Sequence, residues 1–234
     1  MSQPRYWAVV PAAGVGRRMG SETPKQYLAL NGQAVIEHTL QTLLDNPKIE
    51  GIYISISKDD AYWGETAMAS HPKITTVDGG AERCHSVQNA LKSLLITADS
   101  EDWVLVHDAA RPCLRQDDLN LLMESLADHP VGGLLGVPVR DTMKRTDLDG
   151  ATTETVARDG LWHAYTPQMF RLDALYKALH SAIEKGQMVT DDASAIELAG
   201  MQPQMVAGHD DNIKITRPED LALASFYLKQ QRGQ

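Results

Sequence analysis

Cysteine is nearly absent: 234 residues contain Cys84 and Cys113 alone. Two thiols without metal-site spacing exclude a disulfide framework and a cysteine-rich zinc module, and fit reduced thiols in a cytoplasmic protein. Eight histidines show no His-x-x-His or similar ligand spacing and none sits beside a nucleophile, so none is assigned chemistry. Long apolar runs are missing too. The longest, such as Trp103 to Val106 and Leu134 to Val137, are far too short to span a bilayer. No basic segment followed by an apolar core opens the chain, so no signal peptide is expected. Basic residues are in deficit, 22 against 31 acidic, and the net charge of -9 argues against a general nucleic-acid binder. Repeats, low-complexity tracts and linkers are absent, which points to one compact domain over residues 1–234.

What is present is enough apolar residue, 43%, to pack a substantial core. The organising stretch is residues 11–26, PAAGVGRRMGSETPKQ, following the apolar run Tyr6 to Val10. It reads as a strand opening into a glycine-rich loop. Gly14, Gly16 and Gly20 let the backbone approach a ligand, and successive N–H groups in such a loop can hold an anion. Arg17, Arg18 and Lys25 add positive charge, an exception in an acidic chain that invites a polyphosphate. Neither common phosphate loop fits. Met19 stands where the dinucleotide fingerprint needs its third glycine, and also where an ATP-type loop needs Gly-Lys-Ser/Thr.

Beyond the loop, the spacing predicts a helix over 33–46, a strand over 51–57, a short helix over 61–70, a strand over 74–77 and a helix over 86–95. A strongly apolar strand at 103–107 runs into Asp108-Ala109-Ala110-Arg111-Pro112. A helix over 117–127 and a strand over 132–137 follow. The βαβαβαβ order predicts an α/β fold with a Rossmann-like, mostly parallel sheet. Residues 138–158 are polar with a turn at Asp149-Gly150, and predict a β-hairpin arm that projects from the domain and suits dimerisation. Thereafter come a strand and turn over 161–168, a helix over 172–185, an N-cap at 190–192, short strands at 204–206 and 212–215, and a helix from Pro218.

Open parallel sheets bind ligands beyond the carboxyl ends of their strands. The 11–26 loop, Asp78 to Ser86, Asp108 to Arg111 and the region of Lys214 all fall at such ends. Asp108 beside a polyphosphate loop suits a hard cation such as Mg²⁺, which takes one or two carboxylates plus substrate phosphates. Gly79-Gly80 admits a flat ligand, and Ser86 offers a hydroxyl to a base edge. Lys214, between two isoleucines, points into a site or out to solvent.

The segments PAAGxGxRM, PKQ, DGGxERxxSV, HDAARP, PVxDTxK, TPQ, TDxxS and NIKxTxPEDL, in that order, span essentially the whole chain. Together they resemble the 2-C-methyl-D-erythritol 4-phosphate cytidylyltransferases. The resemblance implies a nucleotide-diphospho-sugar-transferase type of fold with a β-arm interlocking in a homodimer. It implies transfer of a cytidylyl group from CTP to methylerythritol phosphate, with Mg²⁺ required. By position, Arg18 and Lys25 would stabilise charge on the triphosphate. Arg158, from the partner's arm, and Lys214 would hold the acceptor phosphate, with Thr142 and Thr190 assisting and Arg111 and Thr166 nearby. Asp108 would bind Mg²⁺ and the ribose side of CTP; Ala12, Ala13, Gly14, Gly16, Gly80 and Ser86 would line the nucleotide. Ala81 and Asp192 depart from the family pattern, where acidic and Glu residues are common. Asp210 and Asp211 are left unassigned as second metal carboxylates. The alternatives are a cytidylyltransferase for another polyol phosphate, such as ribitol 5-phosphate, and a nucleotide-binding module without catalysis. The missing third glycine disfavours an NAD-dependent dehydrogenase.

Overall fold

The computed structural model describes residues 4–14 and 23–233. Gly16, Arg17, Arg18 and Gly20 of the expected phosphate loop lie outside the described residues. The chain opens with β1 (Tyr6–Pro11). A ribbon of β2 (Ala29–Leu30) and β3 (Gln33–Ala34) leads to α1 (Val35–Leu44) and β4 (Ile49–Ile56). Next come β5 (Ile74–Asp78), α2 (Arg83–Leu94), β6 (Trp103–Val106), α3 (Gln116–Leu126) and β7 (Gly132–Pro138). The arm pairs β8 (Met143–Thr146) with β9 (Thr152–Val156). The chain finishes with β10 (Trp162–Arg171), α4 (Leu172–Glu184), α5 (Asp192–Leu198), β11 (Gln204–Ala207) and α6 (Glu219–Gln231).

Seven strands form one sheet in the order β11-β7-β10-β6-β1-β4-β5. β10 runs antiparallel to both β6 and β7, while the other neighbouring pairs are parallel. The mostly parallel α/β fold is therefore as expected. Period-2 alternation sorts the strand residues between two cores. Ala8, Val10, Trp103 and Leu105 face one way, onto α1 and α3. Val9, Val104 and Val106 face the other, onto α2, α4 and α5. Burial on both faces explains why β6 and most of β7 read as unbroken apolar runs. A third cluster, including Leu30, Ile215, Ala224 and Leu228, seats α6 beside the ribbon.

Three expectations are corrected. Over 61–70 there is one 3-10 turn, Trp63–Glu65, because Asp60 Oδ1 accepts both the Tyr62 and Trp63 N–H groups and caps a single turn. The strand over 161–168 does not end in a turn but continues to Arg171, pairing with β6 through Gln168 to Arg171. Residues 212–215 are not a strand. There Ile213 N–H turns back onto the Asp211 carbonyl, and Ile215 N–H reaches Ala110 O. The 138–158 hairpin does stand out from the sheet, with residues 140–155 exposed throughout.

The far end of β1 is anchored by Asp102, 2% exposed. Its carboxylate accepts from Arg5 N and Nε, Trp7 Nε1 and Asp99 N at 2.9–3.1 Å. Asp102→Ala is expected to lower the unfolding free energy by about 3 kcal/mol, the upper end for losing a charged acceptor. Urea denaturation reads this directly; a loss below about 1 kcal/mol would mean that these donors recover their hydrogen bonds from water.

Candidate nucleotide site

Leaving β1 the chain goes to β4 and β5 on one side, then crosses back to β6 on the other, so the strand order reverses between β1 and β6. A cavity of about 410 Å³ opens there, beyond the strand ends. Pro11 ends β1 and Ala12 to Gly14 follow it, Gly80 to Arg83 and Ser86 follow β5, Asp108 to Ala110 follow β6, and Lys25, Gln26, Lys214 and Thr216 complete the wall. This is the crevice in which open α/β sheets bind ligands.

Close backbone packing shapes it. A Cβ on Gly79 would lie 2.2 Å from Ala13 Cβ and force the β1 and β5 loops apart, and one on Gly80 would lie 2.3 Å from His85 Cβ and push on the first turn of α2. Gln26, 4% exposed, donates from Nε2 to Ala12 O at 2.7 Å and Gly14 O at 3.1 Å, pinning the start of the loop. Ser86 Oγ accepts the Gly80 N–H at 3.0 Å and donates to Glu82 O at 3.2 Å. Its hydroxyl thus holds the glycine pair in shape from inside the cavity wall. Ala81 lies in that wall as well.

Charge is concentrated on Asp108. Arg83 Nε lies 2.9 Å from Oδ1; Lys214 Nζ and Arg111 Nε lie 2.8 Å and 3.4 Å from Oδ2. Burial by itself would push this carboxyl up, but the charges of Arg83, Lys214 and Arg111 overrule it and hold it well below the usual carboxylate range. Arg83 also reaches Asp192 Oδ2 at 2.8 Å. Burial pushes the Asp192 carboxyl up despite Arg83, and its Oδ1 has no hydrogen-bond partner among the described residues. Lys25 extends its ammonium to Ile215 O at 2.9 Å. Against the carboxylates of Asp108 and Glu82 the wall sets Lys25, Arg83 and Lys214, with Arg111 just behind, an excess of cations that suits a polyanion.

Beneath the cavity a buried chain fixes Asp108. Its N–H donates to Thr166 Oγ1 at 3.1 Å, and that hydroxyl lies 2.9 Å from His107 Nδ1. His107 Nε2 lies 3.1 Å from Arg111 O. A carbonyl only accepts, so Nε2 carries a proton; burial keeps the ring neutral near pH 7, and Nδ1 then accepts from Thr166. Burial, outweighing the pull of Asp108, lowers the His107 pKa to about 4.

Of the expected site residues, Ala12, Ala13, Gly14, Lys25, Gly80, Ser86, Asp108 and Lys214 meet at this cavity. Arg18 and Gly16 lie outside the described residues. Thr166 does not line the cavity; 4% exposed, it spends its hydroxyl on the frame. Arg111 lies one layer back, with Nη1 on Asn212 O at 2.7 Å and its guanidinium over Tyr165. Thr142 and Thr190 are exposed and away from the lining, and Arg158 bonds Arg140 O beside the arm. Asp211 pairs with Arg115 at 2.6 Å and Asp210 with Arg140 at 2.7 Å, so neither lines the cavity. Sequence reasoning missed Arg83 and Gln26. Both stood inside quoted motifs, DGGxERxxSV and PKQ, and were passed over for their glycines and lysine.

A reversal-point cavity with a cation-rich wall and a glycine-shaped loop defines a nucleotide-phosphate-binding α/β protein. The family model for 2-C-methyl-D-erythritol 4-phosphate cytidylyltransferase matches residues 6–230. A protein of that name from Pseudomonas fluorescens strain Pf0-1 is 55% identical over 94% of both chains. Another, from Pseudomonas syringae pv. tomato strain DC3000, is 52% identical over 99% of this chain and 97% of that one. The crystal structure of the Francisella tularensis enzyme of the same name superposes with a TM-score of 0.83 at 36% identity, covering 95% and 99% of the two chains. The chain belongs to the 2-C-methyl-D-erythritol 4-phosphate cytidylyltransferase family.

The buried imidazole has a consequence for stability. Unfolded, His107 binds a proton near pH 6.5; folded, not until about pH 4. Between those values the unfolded state holds more protons, so stability falls as pH falls. The full loss is on the order of 3 kcal/mol. Urea unfolding at pH 7 and pH 4.5 should show a steeper decline for the native protein than for His107→Gln; parallel declines would assign the effect elsewhere.

Proposed function

We propose that the protein transfers a cytidylyl group from CTP to 2-C-methyl-D-erythritol 4-phosphate. An oxygen of the acceptor phosphate attacks the α-phosphorus of CTP, a new P–O–P bond forms, and the α–β bond breaks with its electron pair leaving on pyrophosphate. The acceptor phosphate is already ionised near neutral pH, so no general base and no enzyme nucleophile is required. What the reaction needs is two anions held together and charge neutralised on the leaving group. The observation that carries this reading is the cation excess around Asp108, formed by Arg83, Arg111 and Lys214, at the strand ends of a chain of this family.

Within that reading, Lys25, and Arg18 by resemblance, neutralise the triphosphate, while Gly80 and the loop after β1 receive the base. Lys214 holds the acceptor phosphate at the edge of the cavity. Asp108 is a hard oxygen donor on the cavity wall and fits Mg²⁺, which binds through one or two carboxylates plus substrate phosphates. The three cations already on Asp108 mean that the nucleotide's own negative charge has to accompany the metal. When bound, Mg²⁺ supplies Lewis-acid neutralisation of phosphate charge.

The arm serves a homodimer in this reading. Residues 140–155 of the arm are exposed, Leu148 at its turn wholly so, and Arg158 does not reach its own chain's cavity. A partner's arm would deliver Arg158 and Thr142 to the acceptor, with Thr190 nearby. No helix among the described residues is long and apolar enough to cross a membrane. Both cysteines are free, which agrees with a cytoplasmic protein.

Pyrophosphate release from CTP and Mg²⁺, measured with methylerythritol phosphate and with ribitol 5-phosphate, tests the whole reading. Release with the first acceptor alone is expected; release with neither would favour a binding module. Lys25→Ala should lower kcat roughly a hundredfold to a thousandfold, the range for removing one preorganised charge-stabilising group. A near-normal kcat would remove Lys25 from the transition state. Arg158→Ala should raise the acceptor KM and leave that for CTP almost unchanged. Mixing the two variants should recover activity if the arm works in trans, and no recovery would count against the exchanged arm.

A further inference from the structure

The first turn of α2 holds a side-chain cluster that the transfer reaction does not use. Glu82, Cys84 and His85 each offer one ligand atom, and the three atoms lie within 4.8 Å of one another. Cys84 Sγ stands 3.8 Å from Glu82 Oε2 and 3.8 Å from His85 Nδ1. These are poor lengths for hydrogen bonds from a thiol, itself a weak donor. They are close to what a tetrahedral ion requires: Zn–S near 2.3 Å and Zn–N near 2.0 Å put sulfur and nitrogen about 3.5 Å apart. Cys84 is nearly buried, His85 is half-buried and Glu82 is exposed, so the cluster opens to solvent on the carboxylate side. That leaves a fourth position for water.

We propose that this turn is a binding site for a borderline, thiophilic divalent cation of the Zn²⁺ type, at the rim of the nucleotide cavity. One thiolate, one imidazole and one carboxylate suit such an ion and not Mg²⁺, which takes oxygen donors. Burial raises the thiol's pKa, so it enters as S–H. The proton is released to solvent as the metal–sulfur bond forms, and affinity rises with pH. The site is distinct from Asp108 yet mechanically joined to the cavity. Glu82 lines the wall and its carbonyl accepts from Ser86, the residue that shapes Gly80. His85 Cβ packs directly on Gly80. An ion drawing the three side chains together therefore sits against the loop that receives the base.

Titration of the intact protein with Co²⁺ tests this without reference to catalysis. A thiolate-to-cobalt charge-transfer band in the near ultraviolet is expected, displaced by Zn²⁺ and not by Mg²⁺. It should vanish in Cys84→Ser, weaken in His85→Ala and in Glu82→Gln, and persist in Cys113→Ser, whose thiol is fully buried elsewhere. Urea transitions of the variants establish that they fold. Absence of the band, its survival in Cys84→Ser, or indifference to both His85→Ala and Glu82→Gln in folded protein would overturn the proposal.

Discussion

A carboxylate removed from water stays ionised where hydrogen bonds or fixed cations replace its lost hydration, and at Asp108 three cations do so. Arg83 comes from α2, Lys214 from the segment before α6, and Arg111 from the turn after β6, so one side chain ties together parts of the chain far apart in sequence. Removing any cation would leave a buried charge partly uncompensated; removing the carboxylate would leave three positive charges repelling. A polyanion entering the cavity meets cations already positioned and partly desolvated, which is what electrostatic preorganisation requires.

The frame behind Asp108 shows why the second half of the chain matters to the first. β10 inserts antiparallel between β6 and β7, which brings Thr166 under Asp108 and Gln168 under α5. Gln168 receives the Ala193 N–H at 2.7 Å and donates to Asp191 at 2.8 Å, fixing the first turn of α5. From that turn Asp192 reaches Arg83, and Arg83 reaches Asp108. A strand of opposite direction thus supplies buried polar contacts that parallel crossovers alone would not place there.

Much of this was legible in the chain. The apolar run 103–107 with an acid after it located Asp108, because a doubly covered parallel strand must be apolar and its end must face the ligand crevice. The direction of β10 was not legible: the side-chain pattern of a strand carries no mark of its orientation. Arg83 was overlooked because a basic residue in a helix's first turn reads as solvated. Its two carboxylate partners are distant in sequence, at 108 and 192. Lys214 lines the cavity, but not from the strand that its neighbours suggested. The alternating NIKIT suggested a strand, whereas the segment is held by isolated bonds to Asp211 and Ala110.

The departure at position 192 illustrates how backbone placement substitutes for side-chain length. The family resemblance leads one to expect Glu there; this chain has Asp, one methylene shorter. The ion pair to Arg83 nevertheless closes at 2.8 Å, because Gln168 and the Asp191 cap hold the start of α5 close to α2. The cost appears on the other oxygen, Oδ1, which is buried without a partner among the described residues, and in the carboxyl's raised pKa. Arg83 therefore leans on two unlike carboxylates. Three cations hold the Asp108 carboxyl well below the usual carboxylate range, whereas burial raises that of Asp192 despite Arg83.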